Sequence, residues 1–326
     1  MLLSVPMPFP LTAIALAVPA YFYTWLVRSI DRFEKEPTKY LISAFLWGAI
    51  PAIGLAVILQ MSLALPIETW WGHNSLQSDL VQSAVGAPIT EEFLKAIAVA
   101  LIYLTRRREF DGWVDGMVYG AMAGFGFAYV ENILYLAGTA SWEEWISLFV
   151  LRTLVFGGLH GFWTAIVGIG FGLARYMHSL VGRVMTVAVS LLLAMTLHLV
   201  HNGAIALIEI YSNIAILVAL FNYGVLCLVM FLLWVIAARV DRARLRSQLA
   251  NEVPWTLSRS CYEAVTRPNS HQLLQKMGFS SRQQRQLIQL VAELAHKKLQ
   301  HQKMGDEDGN RAEIERLRTE LRRYWR

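Results

Sequence analysis

Long apolar runs alternate with short polar loops along the first 238 residues of the chain. A helix that crosses the hydrocarbon core of a bilayer needs about 20 predominantly apolar residues. The pattern therefore predicts an all-α fold, a polytopic bundle of about seven transmembrane helices. The predicted helices cover residues 9–27, 41–65, 82–104, 113–137, 147–173, 184–208 and 213–238.

The residues after 238 have a different pattern, because polar side chains dominate and aliphatic residues recur at helical spacing. Residues 281–302 and 310–325 are predicted to form small amphipathic helices. We therefore divide the chain into a transmembrane domain at 1–238 and a small helical, soluble tail at 239–326. The tail shows no catalytic motif, and docking of a cytoplasmic protein, regulation and simple solvation fit it equally well.

Charge is scarce and unevenly placed. Hydrophobic residues make up 56% of the chain and charged residues 16%, against about 25% charged residues in soluble domains. Outside the predicted membrane helices, lysine and arginine occur in the tail and in three loops, at 28–39, 105–108 and 174–183, whereas 66–81, 138–146 and 209–212 contain acidic residues and no Lys or Arg. Basic loops face the cytoplasm. We therefore expect an outside N-terminus and a cytoplasmic C-terminus in a bacterial inner or plasma membrane. The net charge of +5 reports this orientation and predicts no nucleic-acid partner.

Ionisable side chains inside the third predicted helix are the first sign of chemistry. Glu91 and Glu92 are adjacent, and Lys95 follows four and three residues later, so its ammonium can meet either carboxylate on one face. A charged side chain near the bilayer centre costs at least about 2.5–3.5 kcal/mol. Such residues persist where they line a protein interior, and two carboxylates beside an ammonium are a plausible arrangement for a general base.

The fourth predicted helix combines small residues with another carboxylate. Gly116, Gly120 and Gly124 are spaced by four, which lets a neighbouring helix approach closely. Glu131 lies seven residues after Gly124, close to two full turns, and therefore on the same packed face. The sequence predicts that Glu131 points at another helix and not at lipid.

Histidines lie in the next two predicted helices. His160 is in the fifth, while His198, His201 and Asn202 share one face of the sixth. At a rise of about 1.5 Å per residue, Glu91 and His198 lie roughly 14–15 Å from the outer boundary. The groups on four helices cluster between the midplane and the outer surface, so we expect them to form one site.

These motifs resemble those of the PrsW-type intramembrane proteases, whose wider superfamily includes CAAX-prenyl endopeptidases and APH-1. The resemblance covers about residues 20–210. In the CAAX enzymes the second motif ends in histidine, whereas here it ends in glutamate, as in PrsW-like members. The matching motifs, in chain order, are the charged loop Asp31–Pro37, Glu91-Glu92-x-x-Lys95, Phe127-xxx-Glu131-Asn132, His160-xxx-Thr164 and His198-xxx-Asn202.

The resemblance implies an intramembrane endopeptidase acting on membrane-anchored proteins, such as anti-sigma factors, near the outer leaflet. In our hypothesis, Glu91 or Glu92 activates a water molecule, and His198 and Asn202 stabilise the oxyanion. His160 or Glu131 orients the water or binds a metal ion. The cofactor stays open, because zinc-dependent and metal-free catalysis fit the sequence equally well. The role of His201 also stays open.

Two alternatives to a protease remain at this level. A proton-coupled carrier also uses intramembrane glutamate and histidine, although this sequence shows no evident internal repeat. A non-catalytic membrane scaffold is the second alternative. APH-1-like proteins keep the histidines but lack the paired glutamates, so Glu91 and Glu92 favour an enzyme.

Overall fold

The computed structural model describes residues 9–29, 36–73, 75–107, 109–306 and 309–324, with the backbone alone at Glu209. These residues form helices and no strand, which confirms the all-α prediction. They separate into two compact units. The first contains the described residues up to Leu232 and the second begins at Leu233, close to the predicted division after residue 238. Most of the predicted charged loop, residues 31–35, lies outside the described part of the chain.

The helices of the first unit follow the predicted apolar runs. The α-helices are α1 (Phe9–Arg28), α2 (Thr38–Trp47), α3 (Ile53–Trp71), α4 (Leu76–Asp79), α5 (Ala87–Thr105), α6 (Trp113–Ala137), α7 (Trp142–Phe149), α8 (Leu159–Ala174), α9 (Leu180–Ala206) and α10 (Ile208–Leu249). Helix α10 continues into the second unit and is kinked at Tyr211 and Ser212, whose backbone angles are not helical.

Five helical segments are long and apolar enough to cross a membrane: Phe9–Arg28, Thr38–Trp71, Trp142–Ala174, Leu180–Ala206 and Ile210–Glu252. Large apolar side chains also cover the outside of the first unit. Ile58, Leu217 and Phe221 are 61%, 64% and 74% exposed, which a water-soluble surface avoids over large areas. The protein is therefore a multi-pass membrane protein. The third and fourth predicted spans are present as α5 and α6, but they are not among these five segments, so the total of seven spans stays a prediction.

π-helical turns interrupt three of the predicted runs, at Gly48–Ala52, Leu80–Gly86 and Val150–Val155. The fifth predicted helix, 147–173, is not continuous. Its π-helical turn ends at Val155 and α8 starts at Leu159. Gly157 and Gly158 lie in the interruption, and glycine is a poor helix former. π-helical turns are frequent at functional sites, and the turn Val150–Val155 carries the charged side chain of Arg152.

The predicted glycine face of α6 packs directly against α8. A Cβ atom added at Gly116, Gly120 or Gly124 would lie 2.0, 2.3 or 2.2 Å from a backbone oxygen of α8. The oxygen beside Gly124 is that of His160. The prediction of close helix approach is confirmed, and it places the histidine of α8 next to the face that carries Glu131.

The second unit has its own hydrophobic core, formed by the end of α10 and four further helices. These are α11 (Arg259–Val265), α12 (Ser270–Lys276), α13 (Ser281–Met304) and α14 (Asn310–Arg322). Leu249, Leu257, Leu287 and Leu317 are fully buried in this core. Ser280 caps α13 with a reciprocal capping box to Gln283, an arrangement that satisfies two otherwise unpaired backbone N–H donors. The predicted tail helices at 281–302 and 310–325 correspond to α13 and α14.

Candidate functional site

Glu92 on α5 is the centre of a buried polar cluster, in which both of its carboxylate oxygens have polar partners. Its Oε1 accepts from Lys95 Nζ at 2.5 Å and lies 3.0 Å from His198 Nδ1. Its Oε2 lies 3.2 Å from the Thr164 hydroxyl, which also lies 3.0 Å from the His160 carbonyl oxygen. Glu92 and Lys95 are both fully buried. A buried charge is tolerated when it is paired and hydrogen-bonded, and these contacts give both oxygens of Glu92 a polar partner.

Glu91, the adjacent carboxylate, is bonded differently. Its Oε1 accepts from Gln60 Nε2 at 3.1 Å. Its Oε2 is buried and has no hydrogen-bond partner among the described residues. The same oxygen lies 4.0 Å from His160 Nδ1 and 4.0 Å from His198 Nε2. An unpaired buried polar atom calls for an explanation, and this oxygen can accept a hydrogen bond from water or bind a metal ion or a substrate.

Neighbouring carboxylates orient both imidazole rings. His198 Nδ1 lies 3.0 Å from Glu92, and His160 Nε2 lies 3.0 Å from Glu131 Oε2. In neutral imidazoles the nitrogen that faces a carboxylate carries the proton. The lone pairs of His198 Nε2 and His160 Nδ1 therefore face the unpaired oxygen of Glu91. A carboxylate behind a histidine in this way is the usual outer-shell support of a metal ligand.

The residues fit a divalent metal ion. One ligand atom each from Glu91, His160 and His198 lies within 4.8 Å of the other two. Ligand atoms around tetrahedral zinc, each about 2.0–2.2 Å from the ion, lie roughly 3.3–3.6 Å apart. Two histidines and one glutamate with a further open position form a donor set of catalytic zinc sites. Small inward movements of these side chains would complete it.

Lys95 also contacts this group of atoms. Its Nζ lies 3.1 Å from His160 Nδ1 and 4.7 Å from the ring centre of Phe127. The ammonium thus donates to the same lone pair that a metal ion would use. Bound metal and this lysine–histidine contact exclude each other, so a metal-bound site requires Lys95 to keep Glu92 as its partner.

Glu131 is held by a residue that the sequence analysis missed. Arg152, on the π-helical turn Val150–Val155, forms a short ion pair with Glu131 through Nη2 and donates from Nε to Asn132 Oδ1 at 2.7 Å. Its guanidinium lies 3.8 Å from the ring centre of Tyr135. Arg152 thereby fixes the carboxylate that orients His160. An ionisable residue inside the predicted helix 147–173 was the available signal.

Two cavities, each of about 310 Å³, meet at Glu131. The first lies beside α3 and α5 and is lined by Glu91. The second lies beside α8 and α9 and is lined by His160 and His198. Both are lined by Asn202, whose Nδ2 donates to the Ser83 carbonyl at 2.9 Å. The polar cluster therefore borders space large enough for several side chains.

Of the seven predicted site residues, six form one connected network and the seventh lines both cavities beside it. The network contains Glu91, Glu92, Lys95, Glu131, His160 and His198. Besides Arg152, the sequence analysis missed Gln60, which bonds Glu91, and Trp163, which stacks on His198 at 3.8 Å between ring centres. A polar residue inside an apolar run was the signal for Gln60, whereas an aromatic residue in an apolar run gave none.

Together these features define a class: polytopic helical membrane proteins with a buried carboxylate–histidine centre. A family model described as PrsW family intramembrane metalloprotease matches residues 36–236. The match covers more than half of the chain, and the chain belongs to this family.

Relatives agree with this assignment. The chain is 29% identical over 160 residues to a protein named Protease PrsW from Geobacillus kaustophilus, covering 49% of this chain and 63% of the relative. It is 30% identical over 119 residues to the Clostridioides difficile Protease PrsW, covering 36% of this chain and 48% of the relative. These matches span less than two thirds of both relatives. The Oceanobacillus iheyensis Protease PrsW is 28% identical over 230 residues, covering 70% of this chain and 92% of the relative. No solved structure matches the chain.

Proposed function

We propose that this protein is an intramembrane endopeptidase that hydrolyses peptide bonds of membrane-anchored proteins. The observation that carries the proposal is the unpaired Oε2 of Glu91, which lies 4.0 Å from one nitrogen of each of two histidines. The names of the family and of the relatives support the same activity. A scaffold has no need for an unsatisfied carboxylate oxygen beside a cavity.

Glu91 is the residue to which we assign the general-base role, because Glu92 is committed to Lys95, Thr164 and His198. Glu91 takes a proton from a water molecule while the water oxygen forms a bond to the scissile carbonyl carbon. The carboxylic acid then returns the proton to the nitrogen as the carbon–nitrogen bond breaks. A positioned general base of this kind contributes about 10²–10⁴-fold to the rate.

His160, His198 and Glu91 would hold a divalent ion in a metal-dependent version of the enzyme. A bound ion supplies Lewis-acid polarisation of the carbonyl and activation of water. Glu131 and Glu92 keep the two imidazoles oriented in either version. The metal-free and metal-dependent versions therefore require the same side chains, and metal analysis of the purified protein separates them.

Asn202 is the donor that we assign to the oxyanion. The amide nitrogen has two N–H groups. One donates to the Ser83 carbonyl, which fixes the side chain at the wall of both cavities. The second N–H is available to the oxygen that becomes negative. His198 suits this role less than the sequence hypothesis assumed, because the nitrogen that faces Glu92 carries its proton.

The membrane orientation follows from the charge pattern of the loops. We propose an outside N-terminus, a cytoplasmic C-terminus and cleavage near the outer leaflet of a bacterial inner or plasma membrane. Anti-sigma-factor-like proteins with a single membrane span are the substrate class that the resemblance implies. A cytoplasmic protein is the proposed partner of the unit that begins at Leu233. Reporter fusions at the two termini test the orientation.

A cleavage assay of co-expressed single-pass membrane proteins, including a candidate anti-sigma factor, tests the function. The variants are Glu91→Ala, Glu92→Ala, both changes together and His198→Ala, with Glu143→Ala on an exposed helix start as the matched control. We expect Glu91→Ala to stay in the membrane and lose cleavage, and the control to cleave at the parental rate. Cleavage at the parental rate with both glutamates replaced would point to a scaffold or a carrier.

Metal content provides a second and independent measurement. In the metal-dependent version, purified protein contains a divalent ion that His160→Ala and His198→Ala lose, and chelation stops cleavage. Full cleavage by metal-free protein would leave Glu91 as the general base and remove the metal from the mechanism.

A further inference from the structure

The second cavity contains a histidine that the catalytic network does not use. His201 is 8% exposed, lines this cavity, and has a buried Nδ1 without a hydrogen-bond partner among the described residues. Its ring is fixed by aromatic neighbours, with centres 4.8 Å from Phe156 and 5.8 Å from Trp163. A held but unsatisfied imidazole calls for a ligand.

Hydrogen-bond donors surround the same cavity. Trp163 lines it, and its indole nitrogen is also buried and unpartnered in the described part of the chain. Arg152 and Asn202 line it with further N–H groups. Among the described lining residues Glu131 is the one carboxylate, and it is already bonded to Arg152 and His160. The chemistry that fits this wall is a hydrogen-bond acceptor.

The first cavity has the same volume of about 310 Å³, but the described residues that line it include no histidine, arginine or tryptophan. Aliphatic side chains dominate its wall, among them Ile53, Val57, Leu63 and Ile67. Because Glu91 lines the first cavity and His198 the second, the reacting position lies where the two adjoin. A peptide that crosses this junction presents one side chain to an aliphatic wall and another to a donor-rich wall.

We propose that His201 and the second cavity form a specificity subsite for a substrate side chain that accepts hydrogen bonds, an amide or a carboxylate. The first cavity takes an aliphatic side chain on the other side of the scissile bond. The inference rests on the proposed protease function and assigns its substrate class. His201 binds the substrate side chain and takes no part in proton transfer.

The test uses the full chain in detergent and a single-pass substrate whose cleavage site has been mapped. Positions on each side of the cut are changed in turn to Leu, Gln and Glu, and kcat/KM is measured for each. His201→Phe keeps the ring packing and removes the nitrogens, His201→Asn returns a donor, and Ile205→Val is the matched control on the same helix and cavity wall.

We expect the parent and Ile205→Val to prefer Gln or Glu over Leu at one position by about tenfold, since a site built to bond a polar group rejects its apolar analogue. His201→Phe should reduce this preference to about twofold, and His201→Asn should restore part of it. An equal fall for all substrates, or an unchanged preference in His201→Phe, overturns the inference. Whether Gln or Glu is preferred identifies an amide or a carboxylate.

Binding measurements keep this inference separate from the proposed function. The affinities of the Gln-, Glu- and Leu-containing substrates are compared for Glu91→Gln and for Glu91→Gln with His201→Phe. A side-chain preference that depends on His201 supports the subsite. Cleavage by Glu91→Gln would contradict the role of Glu91 as the base, but it would leave that support for the subsite unchanged. The same affinity order in both proteins overturns the subsite, whatever the cleavage assay shows.

Discussion

Each of the two units buries a glutamate among basic side chains, and the difference between them is informative. In the second unit Glu252 is 2% exposed and accepts from Thr256 at 2.8 Å, Lys298 at 2.6 Å and Arg318 at 2.7 Å. Glu92 in the first unit is bonded in the same manner, by a threonine, a lysine and a histidine. Each cluster has a further carboxylate beside it: Glu315 in the second unit is exposed and paired with Arg318, whereas Glu91 in the first unit is buried.

The comparison shows what separates a structural ion cluster from a reactive one. Both oxygens of Glu252 and of Glu92 have partners. Glu91 keeps one buried oxygen without a partner in the described part of the chain, next to a cavity. Burial and charge alone therefore do not mark function. An unsatisfied group that adjoins space for a ligand does.

The largest expected effect separates Glu91 from the other two glutamates. Glu91→Gln should lower kcat/KM for cleavage by about 10²–10⁴-fold, because a carboxamide cannot accept the water proton. The melting temperature should stay the same or rise, because the unpaired oxygen contributes no bond. Cleavage assays and thermal melts of the same purified sample measure both. A marked fall in melting temperature would show that Glu91 stabilises the fold, as Glu92 and Glu252 do.

Glu252→Ala should instead reduce stability without a direct effect on the site. Removal of the carboxylate leaves Lys298 and Arg318 without their shared partner, which costs about 3–5 kcal/mol for a buried ion pair. Protease protection of α11–α14 in the full chain measures the loss. Glu263→Ala is the control, since its pair with Arg259 is exposed and is worth about 0–1 kcal/mol. Equal effects of the two changes would contradict the comparison.

Thr164→Val tests the saturation of Glu92. The hydroxyl lies within hydrogen-bond distance of Glu92 Oε2 and of the His160 carbonyl oxygen, and a hydrogen bond to a charged group contributes about 1.5–3 kcal/mol. We expect a lower melting temperature and partial loss of cleavage. Thr196→Val removes an exposed hydroxyl from α9 and serves as the control. If Thr164→Val behaves as Thr196→Val does, Glu92 does not depend on full hydrogen bonding.

The smallest expected effect concerns Cys261 in the second unit. Burial raises the pKa of this thiol to about 12, against about 8.5 in an unfolded chain. The thiolate is therefore disfavoured in the folded unit, and stability that is present below about pH 8.5 declines as the pH rises above it. Cys261→Ala should weaken this alkaline decline. Alkylation of Cys261 at pH 8 should be slow until denaturant is added, and rapid labelling of the folded unit would contradict its burial.

The helical spacing of apolar residues and the free-energy cost of charged side chains in lipid predicted most of the architecture. The apolar runs indicated where the membrane helices lie, and the glycines of α6 indicated its packing face, because both depend on local spacing along one helix. The interruption at Gly157 and Gly158 was missed, since a run of apolar residues looks the same whether or not the helix is broken. Arg152 was missed with it.

The sequence by itself determined which side chains are too expensive to lie in lipid, and therefore which helices contribute to the site. Only the tertiary structure decided which contacts each of these side chains makes. It separated Glu92, whose two oxygens have partners, from Glu91, whose Oε2 has none among the described residues, placed a carboxylate beside one nitrogen of His160 and of His198, and turned His201 to a second cavity. The physical reason is that spacing along a helix defines a face and a depth, whereas hydrogen-bond partners depend on the neighbouring helices that pack against that face.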